Sequence, residues 1–183
     1  MSVYSGAAAF ASIFWVIFAM MASVSSYVLV AAELVGNWFT FKKMHMPGWK
    51  GIIPFYNLYV LFEKLWEVKE FWRVIIYLGV YLGAFILGDV LAVIGGIMAA
   101  GIGYGAAYAV SVIMTILGIL MILGSLVFVV LAIVKEYQLY KRMAFAFGLK
   151  SAWAWGLLFL PYVFLPIIGF NKKIIYYGPM RQV

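Results

Sequence analysis

Four long apolar runs, at about 7–32, 71–94, 107–134 and 152–170, take up most of a chain of 183 residues. Each supplies about the 20 apolar residues, at roughly 1.5 Å of rise apiece, that a helix needs to cross a hydrocarbon core about 30 Å thick. The expected fold is therefore all-α, a polytopic membrane helix bundle of about four transmembrane helices in a single domain. With 68% hydrophobic and 10% charged residues, the chain is far from the soluble average of roughly half apolar and a quarter charged. Its mean hydropathy of +1.10 agrees.

Cysteine is absent and His45 is the single histidine. That removes disulfides, thiolate nucleophiles, Cys-based metal sites and any His-rich cage, so no cofactor or metal is expected. The first run has no basic residue before it and exceeds a signal-peptide core, so it is expected to be retained. Position 2 is Ser2 and the chain closes Met180-Arg181-Gln182-Val183, neither being a lipidation signal.

Basic residues near span ends mark the cytoplasmic side. Ten of the 13 Lys and Arg lie in two segments: Lys42, Lys43, Lys50, Lys64, Lys69 and Arg73 after the first run, and Lys135, Lys141, Arg142 and Lys150 after the third. The N-terminus and the 95–106 connection carry none, which places both outside. The tail, with Lys172, Lys173 and Arg181, fits less well. Four complete spans put it outside against the trend, whereas a re-entrant hairpin at 157–170, broken by Pro161 and Pro166, leaves it inside. Four spans are the expectation.

Small residues let membrane helices approach closely. Ala8, Ser12, Ala19, Ser23 and Ser26 form one stripe, Ala107, Ser111, Thr115 and Gly118 another, and Gly79 with Gly83 a third. These stripes are expected to face one another as packing, rather than to line a polar path with their hydroxyls.

The stretch 41–72, FKKMHMPGWKGIIPFYNLYVLFEKLWEVKEFW, is neither a span nor an ordinary loop. From Pro54, a good first-turn residue, Leu58, Leu61, Phe62, Leu65 and Trp72 recur at helical spacing while Glu63, Glu67 and Glu70 share another face. This predicts an interfacial amphipathic helix within 41–70. Trp49, Tyr56, Tyr59 and Trp66 suit headgroup depth, and Lys42, Lys43 and Lys50 would meet anionic lipid on the cytoplasmic face at about 1 kcal/mol each. A sharper alternative has 52–62 dip into the bundle and present Asn57 as a buried hydrogen-bonding group.

Lys43, Pro47-Gly48-Trp49 and Ile53-Pro54-Phe55-Tyr56-Asn57-x-Tyr59 resemble the signature of a family of small bacterial membrane proteins, some fused to or beside signal peptidase I. Phe147-Gly148, Gly156-Leu157 through Leu160-Pro161, Pro166-Ile167-Ile168-Gly169-Phe170 and Tyr177-Gly178-Pro179 follow in the same order. The resemblance covers about 38–179, interrupted over 88–120. It implies a bacterial inner membrane but no activity, and the peptidase's serine and lysine belong to a separate domain absent from this sequence. The halves also echo each other: Glu33, Lys42-Lys43 and 49–54 follow the first run as Glu136, Lys141-Arg142 and 155–161 follow the third.

Three acids stand in or near the apolar runs, where a central carboxylate costs about 3 kcal/mol. Asp89 lies toward the outer end of the second run and either binds a cation, proton or hydroxyl, or marks the interface. Glu33 and Glu136 sit at inner ends, either solvated or lysine-paired, or facing protein. Gly101-Ile102-Gly103-Tyr104-Gly105 invites comparison with a potassium filter, but Gly101 and Ala106 replace the expected threonine and aspartate, so a flexible turn is the better reading. Ser111, Ser125 and Asp89 have no base at their depth, and no nucleotide or nucleic-acid pattern occurs. Glu33, Trp49, Pro54, Tyr56, Asn57, Asp89, Glu136 and Pro161 are the candidate functional positions. The expected role is a non-enzymatic accessory or scaffold subunit with a membrane-protein partner or a second copy, the alternatives being a small transporter or channel and a lipid-headgroup enzyme.

Overall fold

The computed structural model describes residues 3–101 and 105–179. Among these the fold is all-α, with 84% helix and no strand. Six helices follow in order: α1 (Val3–Lys43), α2 (Tyr56–Leu65), α3 (Val68–Gly101), α4 (Ala106–Ala146), α5 (Ala152–Phe159) and α6 (Pro161–Phe170), with a 3₁₀ turn at Gly48–Gly51. Three of them, over Phe10–Lys43, Val68–Gly101 and Tyr108–Ala146, are long and apolar enough to cross a membrane. They run well past the limits expected from hydropathy, because a helix does not stop at a change of solvent but where its carbonyls are capped.

The caps are legible in the hydrogen bonds. At the end of α1 the Met46 N–H donates to Phe41 O (3.0 Å) and the His45 N–H to Lys42 O (3.1 Å), with His45 left-handed at φ 59°. At the end of α4 the Leu149 N–H donates to Ala144 O (2.9 Å) and the Gly148 N–H to Phe145 O (2.9 Å), with Gly148 at φ 68°. Both are Schellman ends. The helices have the same length, 41 residues, which extends the echo seen in the sequence to how each stops.

Contacts divide the chain into two compact units, residues up to Asn57 with Ala144–Gly178, and Leu58–Met143. In the first, the C-terminal part of α1 packs on α6 through small residues: a Cβ on Gly36 would fall 2.5 Å from Pro166 Cδ, and one on Gly169 2.9 Å from Phe39 Cβ. Thr40 Oγ1 donates to Leu165 O (3.2 Å) across this contact. Residues 10–31 of α1, with the stripe of Ser12, Ala19, Ser23 and Ser26, are exposed throughout. Ser23 and Ser26 donate to Ala19 O and Ser23 O of their own helix.

The fourth apolar run is a helical hairpin. Pro161, at the first position of α6, disfavours helix at Leu160 (φ −133°, ψ 53°), and α5 and α6 meet at a bend of 119°. Their lengths, 8 and 10 residues, give arms of about 12 and 15 Å. The chain returns to where it left: the Tyr177 N–H donates to Ala146 O (2.8 Å), and the Tyr177 ring lies against Gly148. A bend this sharp makes the run either a broken span or a re-entrant loop, so the chain has three or four membrane-crossing segments.

The second unit contains most of α2, with α3 and most of α4. A Cβ on Gly118 would lie 2.5 Å from Gly88 O, and one on Gly95 2.5 Å from Thr115 Oγ1. So Ser111, Thr115 and Gly118 do meet α3, but at Gly88 and Gly95; Gly79 and Gly83, the expected partners, have no neighbour within 4 Å of a built Cβ. Ser111, Thr115 and Ser125 donate to Tyr108 O, Ser111 O and Ile122 O of their own helix, so these hydroxyls are satisfied locally.

The expected amphipathic helix over 41–70 is also corrected. α1 continues through Lys43, the 3₁₀ turn follows, and α2 begins at Tyr56 rather than Pro54 because Phe55 takes φ 61°. Val60, Leu61, Phe62 and Leu65 are buried against protein. A break at Trp66 and Glu67 then separates α2 from α3, so Glu63, Glu67 and Glu70 do not share a helix face: the first two are exposed and Glu70 is buried.

Candidate functional site

Two polar assemblies stand out, one in each unit. In the first unit, Gly48 and Gly51 let the 3₁₀ turn lie directly on α1, since a Cβ at either would fall 2.6 Å from the Trp38 ring or 2.9 Å from Asn37 O. The close fit gives a physical reason for the glycines of the Pro-Gly-Trp-Lys-Gly string. Trp49, half exposed, stacks on Tyr56 (centroids 5.9 Å, planes 11° apart), with Lys50 Nζ 6.0 Å from both ring centres. Pro54 is exposed and its carbonyl accepts from the Tyr56 N–H (2.7 Å). Asn57 Nδ2 donates to Gly51 O (3.3 Å), so Asn57 pins its own loop instead of reaching into a bundle.

Beside this loop is a basic cleft. Lys43 Nζ donates to Ile168 O (2.7 Å), Asn171 O (2.6 Å) and Ile174 O (3.0 Å). An ammonium has three donors, so all are engaged, and the charge caps the C-terminal carbonyls of α6 where the helix dipole favours a cation. Lys43 is thus a structural clamp rather than a lipid-facing lysine. Next to it, His45, Lys172, Ile174, Ile175 and Tyr176 complete the lining of a cleft of about 250 Å³. The His45 and Tyr176 rings are 6.4 Å apart, and Tyr176 also packs on Phe147 at 5.3 Å. Tyr176 Oη is shielded from solvent with no hydrogen-bond partner among the described residues, and burial raises the phenol above its usual pKa, which keeps it a donor. A separate apolar cleft of about 330 Å³ is lined by Leu34, Val35, Trp38, Phe39 and Ile52.

In the second unit the assembly centres on Glu70. Its carboxylate pairs with Arg73 on α3 and, through Oε2, with Lys135 Nζ on α4 at 2.8 Å. Lys135 Nζ and Arg142 Cζ also lie 5.2 and 4.5 Å from the Trp66 ring centre. Seven residues apart, Lys135 and Arg142 share one face of α4 two turns apart, so a single indole at the α2–α3 elbow receives both cations.

The remaining candidates are not drawn together. Glu33 is half-buried on α1 and makes no ion pair among the described residues. Glu136 accepts from Tyr140 Oη (3.3 Å) one turn along α4. Asp89 is exposed on α3, beside the Gly88–Gly118 crossing. Pro161 shapes the hairpin. The comparison with a potassium filter rests on residues 102–104, which lie outside the described residues. His45, Tyr176 and Glu70 are not candidates from the sequence, because the partners that set them apart lie far along the chain, Tyr176 being 131 positions from His45 and Lys135 65 from Glu70. No group of three His, Cys, Asp or Glu that could hold a metal occurs among the described residues.

No family model matches the chain, and neither the curated proteins nor the solved structures contain a match to it.

Proposed function

We propose that this chain is a non-enzymatic accessory or scaffold subunit of a bacterial inner-membrane complex, with its N-terminus outside and its basic helix ends in the cytoplasm. The observation that carries the reading is Asp89. It is the sole charged residue between Arg73 and Gly101, about 24 Å along the helix from Arg73 and so inside a hydrocarbon core about 30 Å thick. Yet its side chain is exposed and none of the hydrogen bonds or ion pairs among the described residues involves it. A carboxylate there costs up to about 3 kcal/mol unless a donor or cation meets it. A partner helix carrying that donor, from another protein or a second copy, removes the cost.

The bacterial location rests on the motif resemblance, and the orientation on charge asymmetry with the hairpin's return, which brings Lys172 and Lys173 back beside the end of α1. Purification in mild detergent, followed by mass spectrometry of what is retained, tests the proposal. A stoichiometric partner or a defined homo-oligomer that is lost in Asp89→Leu is expected. A lone chain, or an assembly indifferent to Asp89, would remove it.

One observation favours a second reading, a small transporter: paired short helices with prolines and a sharp bend occur at transport sites. Reconstituted chain alone would then move a solute across liposomes, and Asp89→Asn would stop it.

A further inference from the structure

We infer that the cleft formed by His45, Lys172 and Tyr176 over Lys43 binds a phosphate group, supplied by the headgroup of an anionic phospholipid. Three separate features point there. The first is charge: among the described residues two ammonium groups line the cleft and no carboxylate does. All three Lys43 protons go to carbonyls, whose partial charges do not neutralise a full positive charge, so the base of the cleft stays cationic.

The second is the backbone at His45. The left-handed position that ends a Schellman helix favours glycine, and α4 uses Gly148 there. α1 instead holds an imidazole at this position and sets it beside the cleft. Packing gives no reason for the choice, since His45 is exposed and contacts the Tyr176 ring edge-on. A ring N–H available to an anion does give one.

The third is the composition of the wall: Tyr176 lines the cleft while its hydroxyl is shielded from solvent, so a phosphate oxygen entering the cleft accepts from an ammonium and an imidazole. The cleft also lies where α1 ends, next to Lys42, which is the depth at which a phospholipid presents its phosphate. This site is distinct from the Asp89 face, and either proposal can fail alone.

The test compares the full chain with His45→Gly/Lys172→Gln and, as a control for general basicity, Lys150→Gln, an exposed lysine outside the cleft. His45→Gly places the preferred residue at the left-handed position, so the variant is expected to unfold at the same or a higher temperature. Native mass spectrometry after exposure to phosphatidylglycerol vesicles or to phosphatidylcholine vesicles reads lipid retention. Phosphorus NMR with inorganic phosphate reads the free anion. The wild type and the control are expected to retain phosphatidylglycerol over phosphatidylcholine, with each substitution in the cleft weakening retention about fivefold. A loss confined to the inorganic phosphate signal would keep the phosphate chemistry and assign it to a soluble ligand. Equal retention of both lipids by wild type, an equal loss in Lys150→Gln, or no change in either readout for the cleft variant would overturn the inference.

Discussion

Glu70 carries more of the second unit's stability than its place in an acidic stretch suggests. Buried and paired with Lys135, it is costly to neutralise alone: removing one partner from a buried ion pair strands the other, at about 3–5 kcal/mol. Lys135 retains some exposure, so Glu70→Gln is expected to cost about 2–3 kcal/mol. Arg73 is half-exposed and adds little. Glu70→Leu/Lys135→Met should recover most of the loss, because two apolar side chains need no ionic partner. Thermal unfolding in detergent, run as a double-mutant cycle, checks both; equal loss in single and double variants would contradict the account. The sequence could not show this, since Glu63, Glu67 and Glu70 have the same local pattern, and only Glu70's distant partner on α4 distinguishes it.

Among the helices, α3 and α4 meet where glycine removes a side chain from the path of the other backbone. Gly88→Ala is expected to destabilise by about 1–3 kcal/mol, since its Cβ would come within 2.7 Å of Gly118 O, a backbone atom that cannot turn aside. Gly79→Ala has open space and should be neutral or slightly stabilising, as alanine is the better helix former by about 1 kcal/mol. Unfolding midpoints that ranked these two in the reverse order would refute the crossing. Both glycines belong to regular spacings, and spacing along one helix does not reveal which side another helix approaches. The hairpin was half legible for the same kind of reason. Pro161 announced a break, but the direction the chain takes after it depends on Lys43 holding the carbonyls of 168, 171 and 174.

For the molecule as a whole, composition and run length were enough to read an all-α membrane protein, because burying so much apolar surface in water is not feasible for a chain this size. Charge placement predicts an orientation, and a last apolar run that doubles back would bring the tail into line with it. Cysteines placed at Lys42 and Lys173, both exposed, are therefore expected to react with an impermeant reagent from the same side of the membrane; labelling from opposite sides would refute the topology. The clamp on α6 also sets a schedule. Lys43 must wait for carbonyls 125 to 131 positions downstream, whereas residues 58–143 form one uninterrupted stretch. During synthesis that stretch can close first, leaving the glycine and threonine face of α1 bare until α6 and the residues up to Ile174 have been made.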